Sequence, residues 1–389
     1  MTDFTSVDSI SKVFIETEEF RDYPLRPLFT LCSVYAGEAI ASDDLSDEKI
    51  VPVYGSNGIR AYTDKPNHLE DQVLVGRQGS VGTVHFAKAP FWAAEHALVV
   101  EPITSEVSKQ WLKYVLETLD LSRLSRAVAQ PGINASSVSF QRVPTISLGQ
   151  QKAIADFLDR ETAEIDAAVA DLDKYMKLLR LRARKLINEQ LMSGYPEVKM
   201  GLLAESIIGL TYRPENVVDE GGIYVYRSGN VQESKIDRSN MLAVDVEVPP
   251  HLRFKRGDIL MCSRNGSANL VGKNAIVDPC DYGQTWGAFM TVIRSDLNRY
   301  LYWFFRSPRF DDYRGSFSSS TINQLTTGIL NRIPVPLPPE NKRDEITAFL
   351  EEEVSKIDSL IEESIKLRDL LLKRRSVLIT EVVTGRKQV

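Results

Sequence analysis

VPTISLGQQKAIADFLDRETAEIDAAVADLDKYMKLLRLRARKLINEQLMSG, residues 143–194, returns at residues 335–386 as VPLPPENKRDEITAFLEEEVSKIDSLIEESIKLRDLLLKRRSVLITEVVTGR. The offset is constant. Pro144/Pro336, Ile154/Ile346, Phe157/Phe349, Leu158/Leu350, Glu161/Glu353, Ile165/Ile357, Asp166/Asp358, Arg182/Arg374, Leu186/Leu378, Ile187/Ile379 and Glu189/Glu381 are identical pairs. Matches that keep one register over so long a stretch mark an internal duplication rather than two unrelated amphipathic helices. The flanking segments echo each other more faintly. Val75–Phe86 and Met261–Val277 both hold an Arg, a Gly-Ser and a later Val-Gly. Apolar segments follow at Trp111–Leu116 and Tyr300–Phe305, then loops rich in Ser, Thr, Asn and Gly at 132–144 and 318–334.

Inside the duplicated stretch, Ile154, Leu158, Ile165, Val169, Leu172, Met176, Leu179, Ala183 and Leu186 recur at spacings of three, four and seven, the pattern of a coiled-coil seam. The first helix is expected over about 149–192, stopped by Ser193-Gly194-Tyr195-Pro196. The second starts after Pro338-Pro339 and ends at Gly385. Its seam, Ile346, Leu350, Val354, Ile357, Ile361, Leu371, Leu378 and Val382, is patchier, because Ser364, Arg368 and Arg375 stand where apolar residues would fit. At about 1.5 Å per residue, each helix is a rod of roughly 60 Å that cannot bury its stripe alone. Antiparallel packing of the two on each other, about a pseudo-twofold axis, is the economical solution.

The expected fold is therefore α+β: two similar β-rich units, 1–142 and 195–332, separated by two long helices, 143–194 and 333–389. Gln72–Gly76, Gly82–Phe86, Ala97–Val100, Gly222–Tyr226, Asp258–Cys262 and Ala288–Ile293 read as strands; Val107–Leu119 and Leu297–Arg306 read as helices. The chain has 389 residues, 43% of them hydrophobic and 26% charged, the balance of an ordinary globular protein. No apolar run approaches a membrane span, the acidic start lacks the form of a secretory signal, and three separated cysteines fit no disulfide framework. The expectation is a cytoplasmic chain without metal or membrane. The net charge of −6 argues against a broadly basic surface; residues 13–142 carry 12 basic and 17 acidic groups and residues 200–332 carry 15 and 14, so a nucleic-acid surface would have to be local.

The alternation of variable unit and repeated helix resembles the specificity (S) subunits of type I restriction-modification enzymes. The resemblance runs over nearly the whole chain and rests on the passage from Ile/Val-Pro into a helix with Ile-x-x-Phe-Leu, here VPTISLGQQKAIADFL and IPVPLPPENKRDEITAFL. One departure is Asn341-Lys342, where the family often carries Glu-Gln; the first helix keeps Gln150-Gln151. The resemblance implies two target recognition domains, each reading one half of a bipartite site in double-stranded DNA, with the helices as spacer. It implies methyltransferase (M) subunits, expected as a pair, that use S-adenosylmethionine, and restriction (R) subunits that use ATP and Mg. No cofactor is expected on this chain. A related system with methyltransferase and nuclease fused in one partner, or a coiled-coil scaffold for other proteins, are the alternatives.

No catalytic constellation is legible. The chain has neither a Gly-x4-Gly-Lys-Ser/Thr loop nor Gly-x-Gly-x-x-Gly, and Asp278-Pro-Cys-Asp-Tyr282 lacks the second proline of an adenine methyltransferase motif and reads as a turn. Residues suited to DNA are easier to point to, because Arg reads guanine and Asn or Gln reads adenine in the major groove. Arg77, Gln78 and Ser80 follow one strand; Arg264, Asn265 and Ser267 follow another. Tyr54, Ser56 and Asn57 in one unit, and Tyr226, Arg227 and Asn230 in the other, stand early in each. Asn134, Ser136 and Ser137, with Ser319, Thr321 and Asn323, precede the two helices, and Lys273 is a phosphate candidate. Each has a plainer reading as turn chemistry or a solvated charge. The basic runs Arg180–Lys185 and Lys373–Arg375 are candidate faces for DNA or for an acidic M surface.

Overall fold

The structure, a computed structural model, describes residues 25–125, 132–191, 194–316 and 324–389. They form two compact units. The first takes the chain up to Leu172 together with Lys366–Val389; the second takes Asp173–Ile365. The division cuts both long helices, Leu148–Leu191 and Glu340–Val383, each of 44 residues, so each unit holds half of each.

The helix ends are explained by local chemistry. Ser147 and Gln150 form a capping box: Gln150 N–H donates to Ser147 Oγ (3.3 Å) and Ser147 N–H to Gln150 Oε1 (3.1 Å). Gln151 beside it is buried and ties the helix start to its unit, accepting from Ser108 N (2.8 Å) and donating to the Glu106 and Ile146 carbonyls. At the second helix Arg343 stands where the first has Gln151, and Asn341 and Lys342 before it are exposed; there Tyr300 Oη donates to the Pro336 carbonyl at 2.6 Å. At the far end Gly385, at φ +76°, turns the chain out of the helix.

The two stripes bury each other in antiparallel sense. In the first unit Ala155 and Leu158 share a core with Ile379, Val382 and Val383. In the second, Met176, Leu179, Ala183, Ile187 and Leu191 share one with Ile346, Leu350, Val354, Ile357 and Ile361. Of the expected seam, Ile165, Met176, Leu179, Ile357 and Ile361 are buried; Val169, Leu172, Leu186, Leu371 and Leu378 are half-buried. Ile187 and Ile379, one position outside the seam pattern, are buried at 1% and 2% exposure, because a globular body packs on each helix pair and widens the covered stripe. The polar interruptions are satisfied. Ser364 Oγ donates to the Leu360 carbonyl (2.7 Å), and Arg375 reaches Asp166 and Glu117.

The first unit's strands are β1 Leu25–Pro27, β2 Cys32–Ala36, β3 Val51–Gly55, β4 Gly58–Thr63, β5 Gln72–Gly76, β6 Val84–Ala87, β7 Trp92–Ala93, β8 Ala97–Pro102 and β9 Arg142–Pro144. The second unit's are β10 Glu197–Lys199, β11 Glu205–Ile208, β12 Val217–Val218, β13 Ile223–Tyr226, β14 Val231–Gln232, β15 Lys235–Ile236, β16 Leu242–Val244, β17 Ile259–Cys262, β18 Asn274–Ile276, β19 Thr285–Trp286, β20 Met290–Arg294 and β21 Pro334–Pro336. The wiring repeats. Order β2-β8-β5-β6 matches β11-β20-β17-β18, and β1-β9 matches β10-β21. The parallel pair β3–β7 matches β13–β19. Even the isolated bridges Glu38↔Ala94 and Gln78↔Gly132 have counterparts in Leu210↔Gly287 and Arg264↔Gln324. Helices Lys109–Thr118 and Asn298–Phe305 cover the equivalent face of each main sheet.

One difference is an insertion. Strands β3 and β4 are joined by the two-residue turn Ser56-Asn57, whereas fifteen residues, 227–241, separate β13 from β16 and carry the β14–β15 hairpin. Its turn, Glu233-Ser234, has φ of +47° and +60° at both residues, as a tight two-residue hairpin requires. Lys235 pairs with Glu362, Glu233 with Arg180 (3.6 Å), and the Ser234 carbonyl accepts from Tyr302 (3.3 Å), so the hairpin leans on both long helices. The base of the insertion uses two residues expected from sequence at a DNA surface, and both are corrected here. Tyr226 is 2% exposed and its Oη donates to buried Asp281. Asn230 is 3% exposed, accepting from Arg227 N (2.9 Å) and donating to the Asp237 and Asn240 carbonyls. Long excursions need such internal anchors to satisfy their backbone.

A second difference is a charge exchange on the duplicated frame. Asp166 and Asp358 are equivalent. In the first unit Arg375 Nε donates to Asp166 (2.8 Å) and its Nη1 to Glu117 (3.0 Å), bridging two acids. In the second unit the residue placed like Glu117 is Arg306, and it faces Asp358 directly at 3.7 Å, with Ala183 where the bridging arginine would stand. Two acids are buried among the described residues, Asp258, paired with Arg294 at 2.6 Å, and Asp281. Burial by itself raises the Asp281 carboxyl, but hydrogen bonds from Arg238 (2.8 and 2.6 Å) and Tyr226 outweigh that and hold it below its ordinary 3.8.

Two stability outcomes follow from these contacts. Arg375→Ala leaves two acids facing each other and should cost about 1–3 kcal/mol in urea unfolding; the same change made together with Glu117→Gln and Asp166→Asn should cost less than it does alone, and equal losses would refute the bridge. Asp281→Asn should cost roughly 2–4 kcal/mol at neutral pH. Because the folded carboxyl titrates below the unfolded one, that contribution is complete above the ordinary value and fades as pH falls through the lowered one. The gap between wild type and Asp281→Asn should therefore close in acid; a gap constant down to strongly acidic pH would contradict it.

Candidate nucleic-acid interface

The site begins where β5 and β17 leave the main sheets. Each strand end is locked by the same pair of backbone bonds. Gly76 N–H donates to the Thr83 carbonyl and Gly82 N–H to the Gly76 carbonyl, both at 2.8 Å; Cys262 to Lys273 (2.9 Å) and Gly272 to Cys262 (2.8 Å) repeat them. Gly82 and Gly272 both lie at positive φ, +79° and +85°, and a Cβ on either would sit 2.4 Å from Ser122 N or 2.6 Å from Arg314 Cδ. The Val-Gly echo in the sequence is thus the clasp of a loop. The clasp encloses residues 77–81 in the first unit and 263–271 in the second, so the second loop is longer.

Unequal loops shift the expected pairing. Ile133 N–H donates to the Arg77 carbonyl (3.0 Å) as Leu325 N–H does to the Ser263 carbonyl (2.8 Å), and Arg77 N–H meets the His96 carbonyl (2.8 Å) as Ser263 N–H meets Phe289 (3.0 Å). Arg77 is therefore equivalent to buried Ser263, and Gln78 to Arg264. Successive side chains on extended backbone face opposite ways. Arg77 accordingly turns in, half-buried, with Nη1 donating to the Glu95 carbonyl at 3.3 Å, while Gln78 and Arg264 are exposed.

In the second unit several candidates converge. Asn265 Nδ2 donates to Ser228 Oγ (3.1 Å), joining the β17 loop to the segment after β13. Arg264 lies 5.1 Å over the ring of Phe289. Tyr212, Arg227, Ser228, Asn240 and Phe289 line a cleft of about 720 Å³. Arg227 Nε is buried there with no hydrogen-bond partner among the described residues. Ser267 is exposed at the tip of the loop. In the first unit Asn57 and Gln78 are exposed and Ser80 is half-buried; Tyr54 packs edge-on against Phe91, and Ser56 Oγ is committed to the His96 carbonyl (2.6 Å). Tyr54 and Ser56 thus support the first loop instead of facing out from it.

Other candidates have structural duties. Asn134 caps the short helix Ala135–Ser139, accepting from Ser137 N (2.7 Å) and Ser137 Oγ (3.0 Å), while Ser136 is exposed. Lys273 lies half-buried in a cleft of about 530 Å³ against the long helices, and burial lowers its ammonium pKa, so it is not on the loop surface as expected. The basic run of the first helix is largely paired within its own unit, Arg180 with Glu233 and Arg184 with Asp311 (2.7 Å). Ser319, Thr321 and Asn323 lie outside the described residues. Asp278, Cys280 and Asp281 come within 4.8 Å of one another, but Arg238 pairs with both carboxylates, and Pro279–Asp281 is the turn expected from sequence. Among the described residues no helix is long and apolar enough to cross a membrane.

Sequence reasoning missed His96 and Phe289. Their backbone carbonyls hold the two loops, and their side chains are 43% and 59% exposed. An exposed phenylalanine between Ala288 and Met290 has no signature that separates it from a core residue.

Comparison with known proteins agrees with the repeated frame. The family described as "Type I restriction modification DNA specificity domain" matches residues 18–170. The EcoprrI specificity subunit of Escherichia coli is 30% identical over 140 residues, 35% of this chain and 35% of that protein. The EcoKI specificity subunit of Escherichia coli strain K12 is 22% identical over 205 residues, 51% of this chain and 44% of its own. The chain thus spans between about a third and a half of the length of these relatives. A chain from a study of complex assembly and conformational transition of the type I R-M system superposes with a TM-score of 0.59 at 13% identity, over 93% of this chain and 97% of that one, which shows a shared fold. Residues 18–170 thus match the type I specificity domain, and over that part and in its fold the chain is similar to type I restriction-modification specificity subunits.

Proposed function

We propose that this chain is the non-catalytic DNA-reading subunit of a type I complex, with residues 1–142 and 195–332 each reading one half of a bipartite double-stranded site and the helices 143–194 and 333–389 setting the gap. The observation that carries this reading is the repeated loop frame. The same backbone clasp, on equivalent strands, presents Gln78 in one unit and Arg264 with Asn265 in the other. One scaffold with two chemistries suits two half-sites of different sequence. Exposed Asn57, Ser136 and Ser267 are suited to phosphate or base contacts at the edges of the same surfaces.

The partners are inferred from the likeness to type I specificity subunits. Methyltransferase subunits, two of them, would supply S-adenosylmethionine chemistry, and restriction subunits would supply ATP- and Mg-dependent cleavage. This chain contributes address rather than catalysis. A protein scaffold is the weaker reading, because a scaffold gives no reason for matched loops that carry polar base-reading side chains.

The ruler is tested by insertion. Four residues added to each long helix, after Leu172 and after Ile365, lengthen it by about 6 Å, nearly two base pairs at roughly 3.4 Å each. Sequencing of modified bases in cells carrying the variant and its methyltransferase partner should show both half-sites kept and the gap widened. An unchanged gap in a methylating complex would overturn the ruler.

A further inference from the structure

The carbonyl contacts that anchor the two loops pick out a pair of side chains in each unit. His96 and Phe289 occupy equivalent seats: each carbonyl accepts the backbone N–H of the first loop residue, at 2.8 and 3.0 Å. The next loop residues, Gln78 and Arg264, are also equivalent, since each bridges the segment leading to the long helix, at Gly132 and at Gln324. All four side chains reach solvent. The frame is shared and its two outward positions differ.

We propose that Gln78 with His96, and Arg264 with Phe289, are the specificity-determining pairs of the two units, the second reading a guanine beside a thymine and the first an adenine. The assignment rests on the DNA-reading function above. In the second unit Phe289 sits beneath the Arg264 guanidinium, 5.1 Å from its centre, which orients a planar fork for the two acceptors of guanine. Its ring, 59% exposed, is an apolar surface of the kind that meets a thymine methyl. The cleft beside it is lined by Arg227, Ser228 and Asn240, polar side chains suited to a phosphate or a base edge. In the first unit the amide of Gln78 has the donor and acceptor that adenine requires, and His96 offers a second polar edge where the other unit has an apolar ring.

The test uses the chain bound to its methyltransferase partner and a library of duplexes of random sequence, with bound duplexes selected and sequenced. Arg264→Ala and Phe289→Ala should each relax preference at the same or adjacent positions of one half-site by about tenfold to a hundredfold, the scale of one bidentate base contact. Gln78→Ala and His96→Ala should do so in the other half, with the gap unaltered. All four residues are at the surface, and circular dichroism melting checks that each variant is folded. Phe289→His, which installs the first unit's residue in the second unit's seat, should change the preferred base without loss of complex. If the wild-type complex selects a bipartite motif and the folded variants select the same one, the pairs are wrongly assigned while DNA reading stands. If the wild-type complex selects no motif, DNA reading falls and the assignment with it.

Discussion

Two apolar stripes, each burying part of the other, complete the core of each unit. A helix of 44 residues with a seam along one side exposes that seam unless a partner of equal length lies against it. The duplication supplies the partner in the same chain. Because the two copies run antiparallel, the start of each helix meets the end of the other, and each compact unit is completed by a segment from far away in sequence. Leu158 shares a core with Val382 in one unit and Met176 with Ile357 in the other. Neither globular body has a complete core until both helices are present.

Upon that frame the two units have diverged in ways that leave the backbone intact. The clasp at Gly82 and Gly272, the bridge positions and the strand order are held in common. Loop length, the insertion after β13 and the polarity of the outward residues are not. The exchange of Glu117 for Arg306 shows how divergence is accommodated. An acid at that place needs an arginine between it and Asp166, whereas a base pairs with Asp358 unaided, and the long helices differ accordingly at Arg375 and Ala183. Each globular unit thus matches the charges of its own half of the helix pair.

Much of the helical frame was legible in the letters. Periodicity identified Met176, Leu179, Ile357 and Ile361, and the duplication pointed to two similar β-rich units, whose strand orders match. The candidate surface was legible only in part. Matching the Arg-x-Gly-Ser echoes letter by letter placed Arg77 opposite Arg264, one residue out of register, because the loops differ in length inside the clasp. Tyr226 and Asn230 resembled surface turn residues and are buried, since they anchor an insertion whose existence only the paired strands reveal.

What the sequence by itself determined is what depends on local repetition: two long amphipathic helices, their antiparallel need for one another, and two related β-rich units. Those follow from spacing and from the cost of exposing an apolar stripe, which act along the chain. The tertiary structure alone decided which side chains face out. On extended backbone a shift of one residue reverses a side chain's direction. Whether Arg77 or Gln78, and whether a core phenylalanine or Phe289, reaches the surface was settled by hydrogen bonds between segments distant in sequence, such as Ser263 with Phe289 and Arg77 with His96.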